Sequence, residues 1–265
     1  MGIRIWHQSF TVLSDLSAYD DALKAHFSRV ARTDTEIVMH GMRPGTYRSN
    51  YPGEDIKHVG LQYLHGLQFI QAGVEAERQG FDAYALSTLP EPALREVRAL
   101  VDIPVVGYGE AAMLMACTLG RRFGVLMFIK DMADLITDNA VRHGLRERFV
   151  AARPLPFGFT DILKAFDNPE ALIQRFQDSA RALIAEGANV IIPGEAPLNV
   201  LLARSGITSV DGVPVIDSLA CWIKQAETLV DMRRSSGVRP CRSGYFSALP
   251  DPERVREVLD FYGLK

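Results

Sequence analysis

The side chains of this 265-residue chain best suited to chemistry stand at the ends of apolar runs. Glu195 follows Val190-Ile191-Ile192 and the stop Pro193-Gly194, and Ala196-Pro197 lead from it into an apolar helical stretch. A carboxylate there can act as acid or base if burial raises its pKa; its bland role is to complement a helix dipole. Ser87-Thr88 sit just after another apolar run. An aliphatic hydroxyl does not ionise usefully at neutral pH, so Thr88 can hydrogen-bond, position water or cap the next helix. His7, in the HQSFT of residues 7–11, is a candidate because histidine titrates near neutral pH; Ser9 and Thr11 beside it can hold substrate oxygens. The polar loop GMRPGTYRSNYPGED carries Arg43, Tyr47, Arg48 and Tyr51, suited to covering a cleft; loops of this length are often functional.

Other patterns carry less. GYGEAA (107–112) has the glycine spacing of a dinucleotide turn. It lies mid-chain, however, and no acid ends a strand about 20 residues on, so no nucleotide cofactor is expected. His58 and His65 share a helical face without a carboxylate–histidine motif, so no metal is expected. No serine stands in a G-x-S-x-G turn. Cys117, Cys221 and Cys241 form no C-x-x-C pair; so sparse a set suits a reducing compartment, and the first two read as inert core residues. Net charge is −3 and no basic block occurs, which argues against nucleic acid as partner. No apolar run reaches the ~18 residues of a membrane span, and the N-terminus lacks a signal-peptide core. The expectation is a cytoplasmic protein that binds a small molecule and neither nucleic acid nor membrane.

The elements that must position these residues alternate between strand and helix. Strands are expected at 3–6, 35–40, 82–86, 104–107, 123–128, 189–192 and 213–216. Helices are expected at 14–30, to about 79, 91–100, 110–119, 169–186, 197–204 and 218–232. Such alternation predicts an α/β fold with parallel sheets covered by helices. The pattern also repeats. GFDAYALSTLPEP from Gly80 aligns with GANVIIPGEAPLN from Gly187, and IPVVGYGEAA from Ile103 with VPVIDSLACW from Val213. Two similar lobes follow, related by a pseudo-twofold: residues 1–110 plus 218–265, and residues 111–217. The repeat pairs Thr88 with Glu195 just beyond equivalent strands, where ligands bind in open α/β sheets, so both should face one cleft between the lobes.

With these segments the chain resembles the aspartate/glutamate/hydantoin racemase superfamily, most closely its hydantoin racemase branch. IPVVGYGEAA followed by LGRRFGVLM is similar to that branch's linker and second-lobe opening strand. EGANVIIPGEAPLN and VPVIDSLA are similar to its second catalytic segment and the next strand. The resemblance implies a cofactor-independent enzyme with one acid/base on each side of a substrate carbon. Family racemases place cysteines there, in A-C-F-x-D-P and L-G-C-A-G. Here Ser87-Thr88-Leu89-Pro90-Glu91-Pro92 and Pro193-Gly194-Glu195-Ala196-Pro197 occupy those segments, so Thr88 and Glu195 replace both cysteines. The implied catalytic set is Glu195, Thr88 and His7. The implied substrate-binding set is Ser9, Phe10, Thr11, Tyr47, Ser87, Leu89, Gly194 and Ala196. With one good base, the resemblance implies an isomerase acting on a small carboxylate or cyclic amide rather than a two-cysteine racemase. The alternatives are a decarboxylase, C–N lyase or hydrolase in which Glu195 activates water, or a non-catalytic binding protein. By family analogy a homodimer or higher homo-oligomer is expected.

Overall fold

The computed structural model describes residues 2–264. In chain order the elements are β1 (Ile3–Gln8), α1 (Ser17–Val30), β2 (Thr35–His40), α2 (Gly53–Ile56), α3 (Val59–Arg78), β3 (Ala83–Leu86), α4 (Leu94–Arg98), β4 (Val105–Gly107) and α5 (Tyr108–Leu119). There follow β5 (Phe123–Met127), α6 (Ala133–Arg142), β6 (Phe149–Pro154), α7 (Phe159–Ala165), α8 (Glu170–Ala185), β7 (Val190–Pro193), α9 (Ala196–Arg204), β8 (Ser209–Val210), β9 (Val213–Pro214), α10 (Ser218–Ser236) and α11 (Pro252–Phe261).

The first sheet has the order β2-β1-β3-β4 and the second β6-β5-β7. Every pairing in them is parallel, with Ile5 opposite Ile37 and Ala83, and Phe123 opposite Val190. Val215 bridges Ile191 in parallel, so it takes beside β7 the place that β4 takes beside β3. The fold is therefore α/β with two similar lobes. Strands β3, β5 and β7 are buried throughout. That is why they read as continuous apolar runs: helices cover both faces, as parallel sheets require. In each lobe a long helix ends at a left-handed glycine, Gly80 (φ +73) or Gly187 (φ +101), which turns the chain into the strand below the cavity.

Helix α10 packs on α5 and on β1, β3 and β4. Its Trp222 is buried and donates its indole N–H to the Val106 carbonyl at 3.3 Å.

Some local expectations change. Between 129 and 168, where no element is expected from the pattern, the chain forms α6, β6 and α7. The strand expected at 213–216 divides: β9 pairs antiparallel with β8, and only Val215 joins the second sheet. The helix expected from 91 begins at Leu94, because Glu91 (φ +53) and Ala93 (φ +57) lie in the left-handed region. Thr88 therefore caps no helix. No helix among the described residues is long and apolar enough to cross a membrane.

Candidate active site

The carboxyl ends of four strands converge on one small cavity of about 60 Å³. Ser9, Phe10 and Thr11 reach it beyond β1, Ser87 to Pro90 beyond β3, Phe128 and Ile129 beyond β5, and Glu195 to Pro197 beyond β7. A parallel sheet gathers its strand-to-helix turns at this edge, and here two sheets present theirs to each other. Tyr51, Pro52, Gly53 and Ile56 from the loop and helix before α3 close the first-lobe side, and Phe159 and Met132 the second. Tyr51 stacks on Phe159 with ring centroids 5.0 Å apart, so an aromatic contact between lobes roofs the cavity. A Cβ at Gly53 would overlap the hydroxyl end of Tyr51; only glycine leaves that ring its place. Among the described residues, no lysine, arginine or histidine lines the cavity.

Glu195 occupies the N-cap position of α9 without capping it. Its carboxylate turns instead to the end of β5. Oε1 accepts from the backbone N–H of Phe128 and of Ile129, each at 3.1 Å, and Oε2 from Phe128 at 3.1 Å. Burial pushes its pKa up to about 8, against the lowering effect of those amides. An acid so placed changes charge near neutral pH, as a proton-transfer group requires. The turn behind it is braced. The Pro193 carbonyl accepts from the Tyr108 hydroxyl and from Ser218 Oγ, both at 3.2 Å. Asn199 binds Asp217 Oδ1 at 2.9 Å and the Ser218 N–H at 2.8 Å.

The first-lobe side presents hydroxyls. Ser9 Oγ and Thr11 Oγ1 are 2.7 Å apart, and Ser9 Oγ accepts the Thr11 N–H at 3.1 Å. Ser87 is 4% exposed, and its Oγ has no hydrogen-bond partner among the described residues. A buried hydroxyl left unpaired costs about 1–3 kcal/mol, and this one lines a cavity that a ligand could enter. Thr88 is buried beside it.

Of the residues expected at the site, Glu195, Thr88, Ser9, Phe10, Thr11, Ser87, Leu89 and Ala196 line the cavity. His7, Tyr47 and Gly194 do not. His7 is fully buried between Phe27 and Trp222, with ring centroids at 5.4 and 5.7 Å. Burial lowers its pKa to about 3, so it is neutral, and its Nδ1 donates to the His40 carbonyl at 3.2 Å. Tyr47 donates its hydroxyl to the Phe10 carbonyl at 2.7 Å and so supports the site from outside. Gly194 permits close packing: a Cβ there would lie 2.9 Å from Leu89 Cδ2 and 3.0 Å from the Leu126 carbonyl oxygen. Cys117 and Cys221 are half-buried rather than core, Cys241 is exposed, and none of the three lines the cavity.

Phe128 and Ile129 are not among the residues that the sequence motifs single out. Extending the repeat back to the first strand of each lobe, IRIWHQSF against FGVLMFIK, is the signal that finds them.

The GYGEAA turn has a structural explanation. Glu91 Oε1 accepts the Glu110 N–H at 2.8 Å in the first turn of α5. A Cβ on Gly107 would overlap that oxygen, and one on Gly109 would meet Oε2 at 3.4 Å. The glycines thus admit an anion to a helix N-terminus, as in a phosphate turn, but the anion is the chain's own carboxylate.

Comparison with known proteins agrees with this architecture. An allantoin racemase from Klebsiella pneumoniae superposes with a TM-score of 0.76 at 22% identity, covering 94% of each chain. An allantoin racemase from Pseudomonas fluorescens superposes with a TM-score of 0.72 at 25% identity, covering 94% of this chain and 98% of its own. A hydantoin racemase from Pseudomonas sp. (strain NS671) is 29% identical over 209 residues, 78% of each chain. The family profile described as Asp/Glu/Hydantoin racemase matches residues 17–226, and on that match the chain belongs to the Asp/Glu/hydantoin racemase family.

Proposed function

We propose that this protein is a cofactor-independent isomerase that moves a proton at the acidic carbon of a neutral cyclic amide of the hydantoin or imide class. The observation that carries this reading is the buried Glu195 carboxylate, facing one cavity with the Ser9, Thr11, Ser87 and Thr88 hydroxyls. Glu195 takes the proton. The hydroxyls hold the carbonyl oxygens on which charge develops, the usual role of donors aimed at an oxyanion. On the opposing side the Thr88 hydroxyl, which does not ionise usefully and so is no second base, positions a water that gives a proton to the other face of the carbon. The hydroxide so formed is neutralised by the proton that Glu195 gives up, which restores both groups.

That no cationic side chain among the described residues lines the cavity favours a neutral cyclic amide over a free carboxylate. A carboxylate would meet Glu195 with no compensating charge, at the cost of burying an unpaired ion. Relatives named as hydantoin and allantoin racemases support the same class, and nothing in the cavity favours lyase or hydrolase chemistry. The site is narrow, so substrate entry requires the Tyr51–Phe159 contact to part, the kind of closure that excludes water from carbon-acid chemistry.

The test is proton NMR in D₂O with 5-substituted hydantoins, cyclic imides, α-amino acids and arylmalonates. The expected result is loss of the acidic C–H signal of a cyclic amide without net breakdown. New product peaks without that exchange would replace the isomerase with a lyase or hydrolase. Saturable binding with neither exchange nor products would replace it with a binding protein.

A further inference from the structure

Behind the cavity, the turn that carries Ser87, Thr88 and Leu89 has an unusual support. Glu91 and Ala93 adopt left-handed φ values of +53° and +57°, a conformation that non-glycine residues hold only when their surroundings impose it. Contacts from across the lobe boundary hold Glu91 and the carbonyl before it. His143, immediately after α6, places Nε2 2.9 Å from Glu91 Oε2. Asn139, within α6, donates Nδ2 to the Pro90 carbonyl at 3.3 Å. On its own side Glu91 is held by the Glu110 N–H at 2.8 Å. The Glu91 side chain is 2% exposed, so its charge has few ways to be met except through these partners.

The pair belongs to a chain of alternating charges. His143 Nδ1 lies 3.4 Å from Glu110 Oε1, and Glu110 in turn pairs with Arg98. Burial alone would lower the His143 pKa, but Glu110 and Glu91 outweigh it and hold it up at about 9. Burial likewise pushes Glu110 up, and His143 and Arg98 outweigh it to bring that acid down to about 2. Imidazolium therefore stands between two carboxylates. A groove of about 790 Å³ is lined by Glu91, Arg98, Glu110 and His143 and shares no lining residue with the active cavity.

We propose that Glu91 and His143 are positioning residues: their ion pair holds the Ser87–Pro90 turn of the first lobe against α6 of the second, and so fixes the Ser87 and Thr88 hydroxyls relative to Glu195. The catalytic half of this inference rests on the isomerase reading; the structural half does not. Neither residue enters proton transfer to substrate. Neither His143 nor Glu91 lines the cavity, and the Glu91 carboxylate is turned to the first turn of α5.

The experiment compares His143→Gln, which keeps a donor without charge, with His143→Lys, which keeps the charge. Two readouts are taken: cyclic-amide proton exchange, and backbone amide hydrogen exchange at Ser87, Glu91 and Glu110. His143→Gln is expected to lower kcat by about 10- to 100-fold, the scale of a small misplacement of catalytic groups, with KM within about threefold. Faster hydrogen exchange at the three amides should accompany it, and His143→Lys should restore most of both. Unchanged amide exchange in His143→Gln would overturn the proposal, as would equal impairment in the Gln and Lys variants. If the wild-type protein turns over no cyclic amide, the isomerase reading fails while amide exchange still decides whether the pair holds the turn.

Discussion

The Glu195→Gln variant tests the chemistry most directly, because glutamine keeps the shape of the side chain and removes its basicity. Loss of a positioned general base typically costs about 10²- to 10⁴-fold, or roughly 2.7–5.5 kcal/mol of barrier. Burial places the Glu195 pKa at about 8, so at pH 6 only about one carboxyl in a hundred is ionised. Exchange of the substrate C–H should rise about tenfold per pH unit below 8 and level off above it. The variant should show a small, flat rate once the uncatalysed exchange at each pH is subtracted. Stability gives an independent check. The folded chain keeps a proton that the unfolded chain releases above its ordinary value of 4.5. This contribution is therefore complete below about 4.5 and is lost as pH rises to about 8. The loss is about 4–5 kcal/mol at most, from 1.36 kcal/mol per pKa unit. Urea unfolding at several pH values should show the wild-type chain losing stability relative to Glu195→Gln across that window. Exchange by the variant within a few-fold of wild type, or a wild-type rate flat from pH 6 to 9, would refute Glu195 as the base.

Three further outcomes follow from particular contacts. Ser87→Ala removes a buried hydroxyl that has no partner among the described residues, so stability should hold or rise by up to about 1 kcal/mol while exchange falls; matched losses of both in unfolding and NMR assays would make Ser87 structural. Gly107→Ala forces a Cβ onto Glu91 Oε1 and should cost about 1–3 kcal/mol in urea unfolding, as overpacking does; a neutral result would mean that the carboxylate does not sit in the glycine turn. Tyr51→Ala removes the stack on Phe159 and should raise KM and lower kcat together, as changes to closing elements do; unchanged steady-state kinetics would show that the contact plays no part in closure.

Much of the architecture is legible in the chain because its cause is local. A strand buried on both faces must be apolar throughout, so β3, β5 and β7 announce themselves. The glycines at 80 and 187 mark the same helix-to-strand turn twice, and the alignment they anchor carries the relation between Thr88 and Glu195. The middle of the second lobe is less legible in the sequence. There β6 leaves two residues half-buried and two exposed, and partial burial blurs the apolar run.

What only the tertiary structure decides is where side chains point after a strand ends, and what they meet. His7 and Ser9 are two residues apart, yet Ser9 reaches the cavity while His7 is sealed between α1 and α10 by Phe27 and Trp222. A strand's alternation stops at its last residue, and the turn beyond sets direction afresh. The charge behaviour of Glu195 is equally invisible in sequence, because it follows from burial and from two amides more than sixty residues away. The GYGEAA turn illustrates the same limit. Its glycines show that something must approach α5 closely, but that the visitor is the Glu91 carboxylate, with His143 of the other lobe at its side, follows only from the packing of distant segments that no local pattern encodes.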